Sequence, residues 1–277
     1  ISYRVILAGN GVDVQNSELR FGIIVDEYIL GPPVTLSLSE DEYAVGFVSL
    51  GKGALLFTTR NGELHARTIS SSLSMPGDTL IEADWAGEFA VVARSDDRAQ
   101  VAWTKRNTDE LGYILTDIGM TSIGYVGDMS ETHSSMIALK QSEGMYWGLD
   151  LAERDGKVVL AGYHRDISTG GSWQDVTNIF LVSNENPDLN YGWSVTEGVV
   201  ADVDIKPQDG NSLAVAIGLE NTHILYQEMR DDVTGISRAG LHYAHGDIHS
   251  AGWSFQYTVG DNASGQQLEV LIRGNED

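Results

Sequence analysis

TLIEADWAGEFAVVARSDDRAQVAWTK, Thr79 to Lys105, is the stretch whose reading decides the fold. It holds two strand-length apolar runs, too short for helices, on either side of an acidic turn at Ser95-Asp96-Asp97, with a polar turn in front. The same unit recurs as VTLSLSEDEYAVGFVSLGKGALLFTT from Val34, as VADVDIKPQDGNSLAVAIGLENTHILYQE from Val200 and as FQYTVGDNASGQQLEVLIRGNED from Phe255 to the end. The last copy lacks its second strand. Joining Leu268–Asp277 to Ile1–Ala8 supplies it, so the chain is expected to close on itself in a ring.

Elsewhere the pattern is the same. Tyr3–Ala8, Phe21–Val25, Ala54–Thr58, Gln100–Thr104, Tyr113–Thr116 and Ile224–Gln227 are short alternating or apolar runs bounded by Gly, Asn, Asp and Ser, and no 12-residue window sustains a helical period. An all-β sandwich, barrel or propeller fits that density, and the repeat selects a β-propeller, which closes one blade with strands from both termini and so limits open edges. Taking Val45, Val91, Leu149, Val215 and Val270 as equivalent first-strand positions gives spacings of 46, 58, 66 and 55, with 52 across the join. Five blades in one domain over residues 1–277 are expected. Six is the alternative, because Ser135–Leu139 followed by Met145–Trp147 also fits the unit.

A second feature parallels Asn178–Ser194 with Gly240–Ser254, each a strand, a polar turn and then Gly-Trp-Ser. These two turns resemble a degenerate Asp-box of sialidase-like propellers, in which a following Trp staples the turn. The resemblance covers about 30 residues, keeps the full motif at neither turn and implies fold alone. The arginine cluster, Arg-Ile-Pro motif and Tyr-Glu nucleophile pair that sialidase chemistry needs have no counterpart among 12 scattered arginines.

Charge narrows the partners. The 277 residues carry 40 Asp and Glu against 17 Lys and Arg, a net charge of -23, and only five of the basic residues are lysine. Nucleic acid and anionic lipid both need basic groups to displace counterions, so neither is an expected partner. Self-repulsion of this size is screened at molar salt, where the Debye length is about 3 Å, and the Asp-rich, Lys-poor composition resembles that of halophilic surface proteins. With no cysteine, disulfides, thiol nucleophiles and thiolate metal sites are excluded. No apolar run is long enough for a membrane-spanning helix, so no membrane insertion is expected. The first residue is Ile1, from which a processed or excised product is expected.

The chemistry-bearing candidates are few. Asp84, Asp128 and Asp204 stand before the first strand of a blade or a near relative of it, where they could line a central channel as hydrolytic carboxylates. Three of the seven histidines fall in LHYAHGDIH, and His245, Asp247 and His249 would share one face of an extended chain, a spacing suited to a divalent metal ion; otherwise no cofactor is required. The insertion Arg165–Asp175 is the longest loop of any blade, and long loops on a rigid scaffold carry recognition, so Arg165, Trp173, Asp175 and the turn residue Tyr191 are the expected ligand-binding set. Asp202, Asp204 and Asp209 lack calcium-loop spacing, and Asn262-Ala-Ser264 is a glycosylation sequon.

The expected function is non-catalytic recognition: an extracellular, cell-surface or virion-borne propeller that binds a cell-surface glycan or protein in high salt, with other virion or surface-layer subunits as further partners. The alternatives are a polysaccharide-active glycoside hydrolase or lyase using central carboxylates, and a structural assembly subunit.

Overall fold

A computed structural model describes residues 3–9, 18–25, 28–39, 41–51, 53–70, 77–108, 114–124, 133–137, 144–166, 177–186, 193–203, 213–231, 237–248 and 253–261, together with Ser72, Ser74 and Ile205. These residues form nineteen strands in five antiparallel sheets, each built from strands consecutive in the chain. The first sheet is β1 (Tyr3–Gly9), β2 (Glu18–Val25) and β3 (Tyr28–Ser37). The second is β4 (Glu42–Leu50), β5 (Gly53–Arg60), β6 (Glu63–Ser70) and β7 (Asp78–Glu82). The third is β8 (Trp85–Ala93), β9 (Arg98–Thr108), β10 (Ile114–Gly124) and β11 (His133–Ile137). The fourth is β12 (Gly144–Arg154), β13 (Lys157–Asp166), β14 (Thr177–Asn184) and β15 (Ser194–Val203). The fifth is β16 (Leu213–Ile217), β17 (Thr222–Asp231), β18 (Ser237–Gly246) and β19 (Ser254–Asp261). Among the described residues no helix is long and apolar enough to cross a membrane.

The sheets stack in chain order. β1 packs against β4, β4 against β8, β8 against β12 and β12 against β16, a propeller-like arrangement in which first strands of successive sheets are neighbours. Val45, Val91, Leu149 and Val215 all fall on first strands, as the repeat predicts, while Val270 lies outside the described residues. Ser135-Met136-Ile137 pairs with β10 as the outer strand of the third sheet and founds no sheet of its own.

Each middle sheet is covered on both faces, which explains its continuous apolar runs. Along β13, Val159, Ala161 and Tyr163 join Val215, Ile224 and Tyr226 of the fifth sheet, while Val158 and Leu160 join Ile118 and Met120 of the third. The side chains alternate because strand geometry has a period of two, so one strand feeds two cores. A third core joins Leu55, Phe57 and Leu64 of the second sheet to Val101, Trp103 and Ile123 of the third. First strands approach closely there: a Cβ on Gly46 would strike the Phe89 ring. Trp193 and Trp253 occupy matching places, immediately before β15 and β19, and both pack on these cores as the Gly-Trp-Ser repeat requires.

Candidate active site

Glu88 sits on β8 in an irregular stretch. The β8–β9 register slips between Trp85 and Phe89, where Gly87 takes a φ of 112°. The indole Nε1 of Trp85 donates to the Glu88 carbonyl at 2.8 Å, and the Glu88 amide donates to Thr104 Oγ1 at 3.1 Å. With its backbone fixed, the side chain reaches the next first strand, where Glu88 Oε2 accepts the Gly148 N–H at 2.9 Å. β12 is itself bulged at that point, between Trp147 and Asp150, and Gly148 adopts a φ of 62° that favours glycine. Burial pushes the Glu88 carboxyl above the ordinary carboxylate range, and the amides of Gly148 and Leu149, which favour the charged form, do not reverse it. Two residues further along β12, Asp150 repeats the relation one sheet on: its Oδ2 accepts the Val215 N–H of β16 at 2.8 Å.

Other carboxyls are held in the opposite state. Glu82, at the end of β7, loses hydration by burial, yet it accepts the Asp84 amide at 3.1 Å and Trp103 Nε1 at 3.2 Å and lies 3.2 Å from Lys105 Nζ. Those donors outweigh burial and hold it below the ordinary range. Glu42, at the start of β4, follows the same logic: burial opposes its charge, and the Thr58 hydroxyl, the Arg67 guanidinium and Ser39 overcome that opposition. The network extends to His65, whose ring nitrogens lie 3.1 Å from Asp78 and 3.1 Å from Glu63.

Two more histidine–carboxylate pairs lie within single sheets, the first in the fourth and the second in the fifth. His164 stacks on Tyr146 with ring centres 4.3 Å apart and reaches Asp166 at 3.1 Å; burial lowers its proton affinity while Asp166 works the other way. His242 stacks on Tyr226 and lies 3.2 Å from Glu228. Beside them the Tyr163 hydroxyl donates to the Gln227 carbonyl at 3.1 Å and accepts its amide at 3.0 Å, tying the fourth sheet to the fifth.

Of the sequence-derived carboxylates, Asp84 is described: it is exposed in the turn between β7 and β8, and its main chain, through its N–H to Glu82 and its C=O from the Arg106 amide, makes the contacts seen there. Asp128 and Asp204 lie outside the described residues, the first in the chain between the third and fourth strands of a sheet, the second between a fourth strand and the next first strand. Arg165 is half-buried near the end of β13, opposite Met145, and Trp173, Asp175 and Tyr191 lie outside the described residues. His245 ends up in a ring stack with His223 and Tyr243, at 5.9 Å and 5.6 Å between centres. Asp247 is exposed just beyond β18, and His249 lies outside the described residues. Among the described residues no three metal-ligating side chains converge.

Glu88 and Asp150 were missed because both stand inside apolar first strands, where sequence marks them only as interruptions. The signal was present: Glu88 follows Gly87, and Asp150 follows Gly148-Leu149, and a glycine inside a strand pattern marks a bulge or a close backbone approach.

No protein-family model and no curated protein matches the chain. Among solved structures it is similar to a family 117 glycoside hydrolase from the marine bacterium Zobellia galactanivorans, at 12% identity over 64% of this chain and 58% of that one, with a TM-score of 0.39. It is similar to an α-L-arabinanase of Penicillium chrysogenum complexed with arabinobiose, at 11% identity over 92% and 71%, TM-score 0.41, and to YjhT, at 8% identity over 96% and 86%, TM-score 0.36. This chain spans 58% of the length of the first of these. The likeness is one of all-β architecture, and no residue is carried across it.

Carboxyl and histidine networks held within the sheets correct the expected function. The non-catalytic attachment module, the host-recognition spike and the absence of enzymatic activity give way to the hydrolase alternative.

Proposed function

We propose that this chain is a glycan-cleaving hydrolase in which Glu88 delivers a proton to the departing glycosidic oxygen. The observation that carries the reading is a pair of carboxyls on neighbouring first strands: Glu88, whose proton affinity burial raises and which accepts the Gly148 N–H, and Asp150, two residues beyond that glycine, which accepts the Val215 N–H. Glycoside hydrolysis needs such a pair: one carboxylic acid protonates the leaving group, and one carboxylate activates water or attacks the sugar. Asp150 is assigned the second role, because it lies two residues from the amide that Glu88 holds. The Gly148 N–H, which donates to Oε2, fixes the Glu88 side chain against β12.

The scaffold is read as one five-bladed ring domain. Among the described residues four sheets have four strands and the first has three, a count that fits the ring the repeat predicts. The net charge of -23 supports work in salt, on a neutral or weakly charged glycan of a cell surface or its debris. Release of new reducing ends from a panel of neutral and acidic polysaccharides, in low salt and in molar NaCl, tests the proposal. Cleavage that is lost in Glu88→Gln while polysaccharide binding persists supports it. A wild-type protein that is folded and cleaves none of the panel overturns it.

A further inference from the structure

The β12–β13 and β16–β17 turns enclose a cleft of about 390 Å³ that the proposed hydrolysis does not use. It lies where β12 and β16 end, at the opposite end of the fourth sheet from Arg165. Arg154 Nη1 donates to the Ile217 carbonyl at 3.2 Å and joins the two turns. Directly across the hairpin from Arg154 stands Lys157, a like-charge pair that cross-strand packing disfavours. Lys157 has no ion-pair partner among the described residues. That placement stands out in a chain with five lysines and a charge of -23.

The rest of the lining supplies the complement. Glu185 and Glu220 contribute acceptors, Asn221 offers both a donor and an acceptor, and Leu219 is 56% exposed at the rim, one of three large apolar side chains so exposed among the described residues. A ligand of either net charge would meet opposing groups here. A sugar would not: each hydroxyl both donates and accepts, its C–H face suits an exposed leucine, and the volume lies within the about 300–1,000 Å³ of small-molecule sites. The geometry points to a second, non-catalytic site for a neutral saccharide, an anchor for the polymer whose cleavage is assigned to Glu88. It rests on the hydrolase reading for its purpose, and its binding is measured separately.

The probes are cellobiose, xylobiose and maltose, with sodium glucuronate as the charged control, titrated into 15N-labelled Glu88→Gln protein so that nothing is turned over. At least one neutral disaccharide is expected to shift the Lys157 and Leu219 amides saturably. The pair Lys157→Gln and Leu219→Ser, both on surface turns, is expected to weaken that binding about tenfold and to leave cleavage of short soluble substrates by the Glu88 protein unchanged. Absence of a saturable shift with all three disaccharides, equal binding in the double variant, or tighter binding of glucuronate overturns the assignment. Cleft binding without any cleavage by the parent protein would retain this site and remove the hydrolase reading; cleavage without cleft binding would do the reverse.

Discussion

Glu82 and Glu88 are six residues apart, flank the same turn and have opposite fates. Both lose water, yet Glu82 faces an indole N–H, an amide and an ammonium group that hold it below the ordinary carboxylate range, whereas Glu88 faces two backbone amides and is pushed above it. Burial opposes charge at both, and its balance with the donors decides the direction: a cation and several hydrogen bonds outweigh desolvation at Glu82, whereas two amides do not outweigh it at Glu88. Divergent carboxyls of this kind are how one scaffold holds an acid and a base at neutral pH. Their side chains also point to different seams, Glu82 toward the Trp103 core and Glu88 toward β12.

The largest expected effect breaks the comparison at Glu88. Glu88→Gln keeps an acceptor for Gly148 but cannot give a proton, so turnover falls by about 10²–10⁴-fold while the protein stays folded, measured by reducing-end release beside thermal unfolding. A raised carboxyl contributes stability that is complete below its unfolded pKa and is lost as pH rises through its folded one. Glu88→Gln should consequently flatten the decline in stability across that window above the ordinary carboxylate range. An unchanged pH–stability curve would show that the fold does not raise the proton affinity of Glu88.

Next in size is the seam on which both groups depend. Gly46→Ala places a methyl group against Phe89, whose neighbour is Glu88, and overpacking of this kind costs about 1–3 kcal/mol. Chemical denaturation should show that loss. If activity falls further than stability accounts for, the Phe89 backbone positions the acid as well as the core.

Much of this architecture was legible before any coordinates. Val45, Val91, Leu149 and Val215 predict the first strands because a strand covered on both faces must be apolar at successive positions, and the Gly-Trp-Ser pair marks matching turns because each Trp fills the same kind of gap between sheets. The proposed acid was not legible. Asp84 drew attention because it precedes the first strand of a blade, but the place is a turn, where a carboxylate is cheapest to solvate, and it is exposed. Glu88 stands inside WAGEFAVV, and its meaning comes from Gly148, 60 residues away, whose amide the bulge of β12 turns toward it. Such partnership depends on how sheets stack, and a local pattern does not encode it. For the His245–Asp247–His249 spacing, β18 ends at Gly246, so Asp247 stands beyond the strand that carries His245, and His249 lies outside the described residues.

A smaller effect acts on the other carboxyl. Trp103→Phe removes the indole donor and leaves Glu82 with fewer groups favouring its charge, at a cost of about 1 kcal/mol at neutral pH. A lowered carboxyl contributes stability that is present above its unfolded pKa and is lost as pH falls through its folded one. Acid unfolding of Trp103→Phe should accordingly begin at higher pH than in the parent, and turnover near neutrality should be little changed. A loss of turnover equal to that of Glu88→Gln would move the catalytic role to the Trp103 side of the sheet.

The smallest effect is expected at Asp84, between the two. Its contacts are made by main-chain atoms, its side chain is solvated, and Asp84→Ala should change stability by no more than about 0.5 kcal/mol and leave turnover intact. That near-silence discriminates strongly. A carboxylate exposed in water has no means of raising its proton affinity by burial, so if Asp84→Ala were inactive, the acid would lie at the mouth of the sheets and Glu88 would be a staple for the β12 bulge. With Asp84→Ala active and Glu88→Gln inactive, proton donation belongs to the seam between β8 and β12, where desolvation supplies the shift that a surface turn cannot.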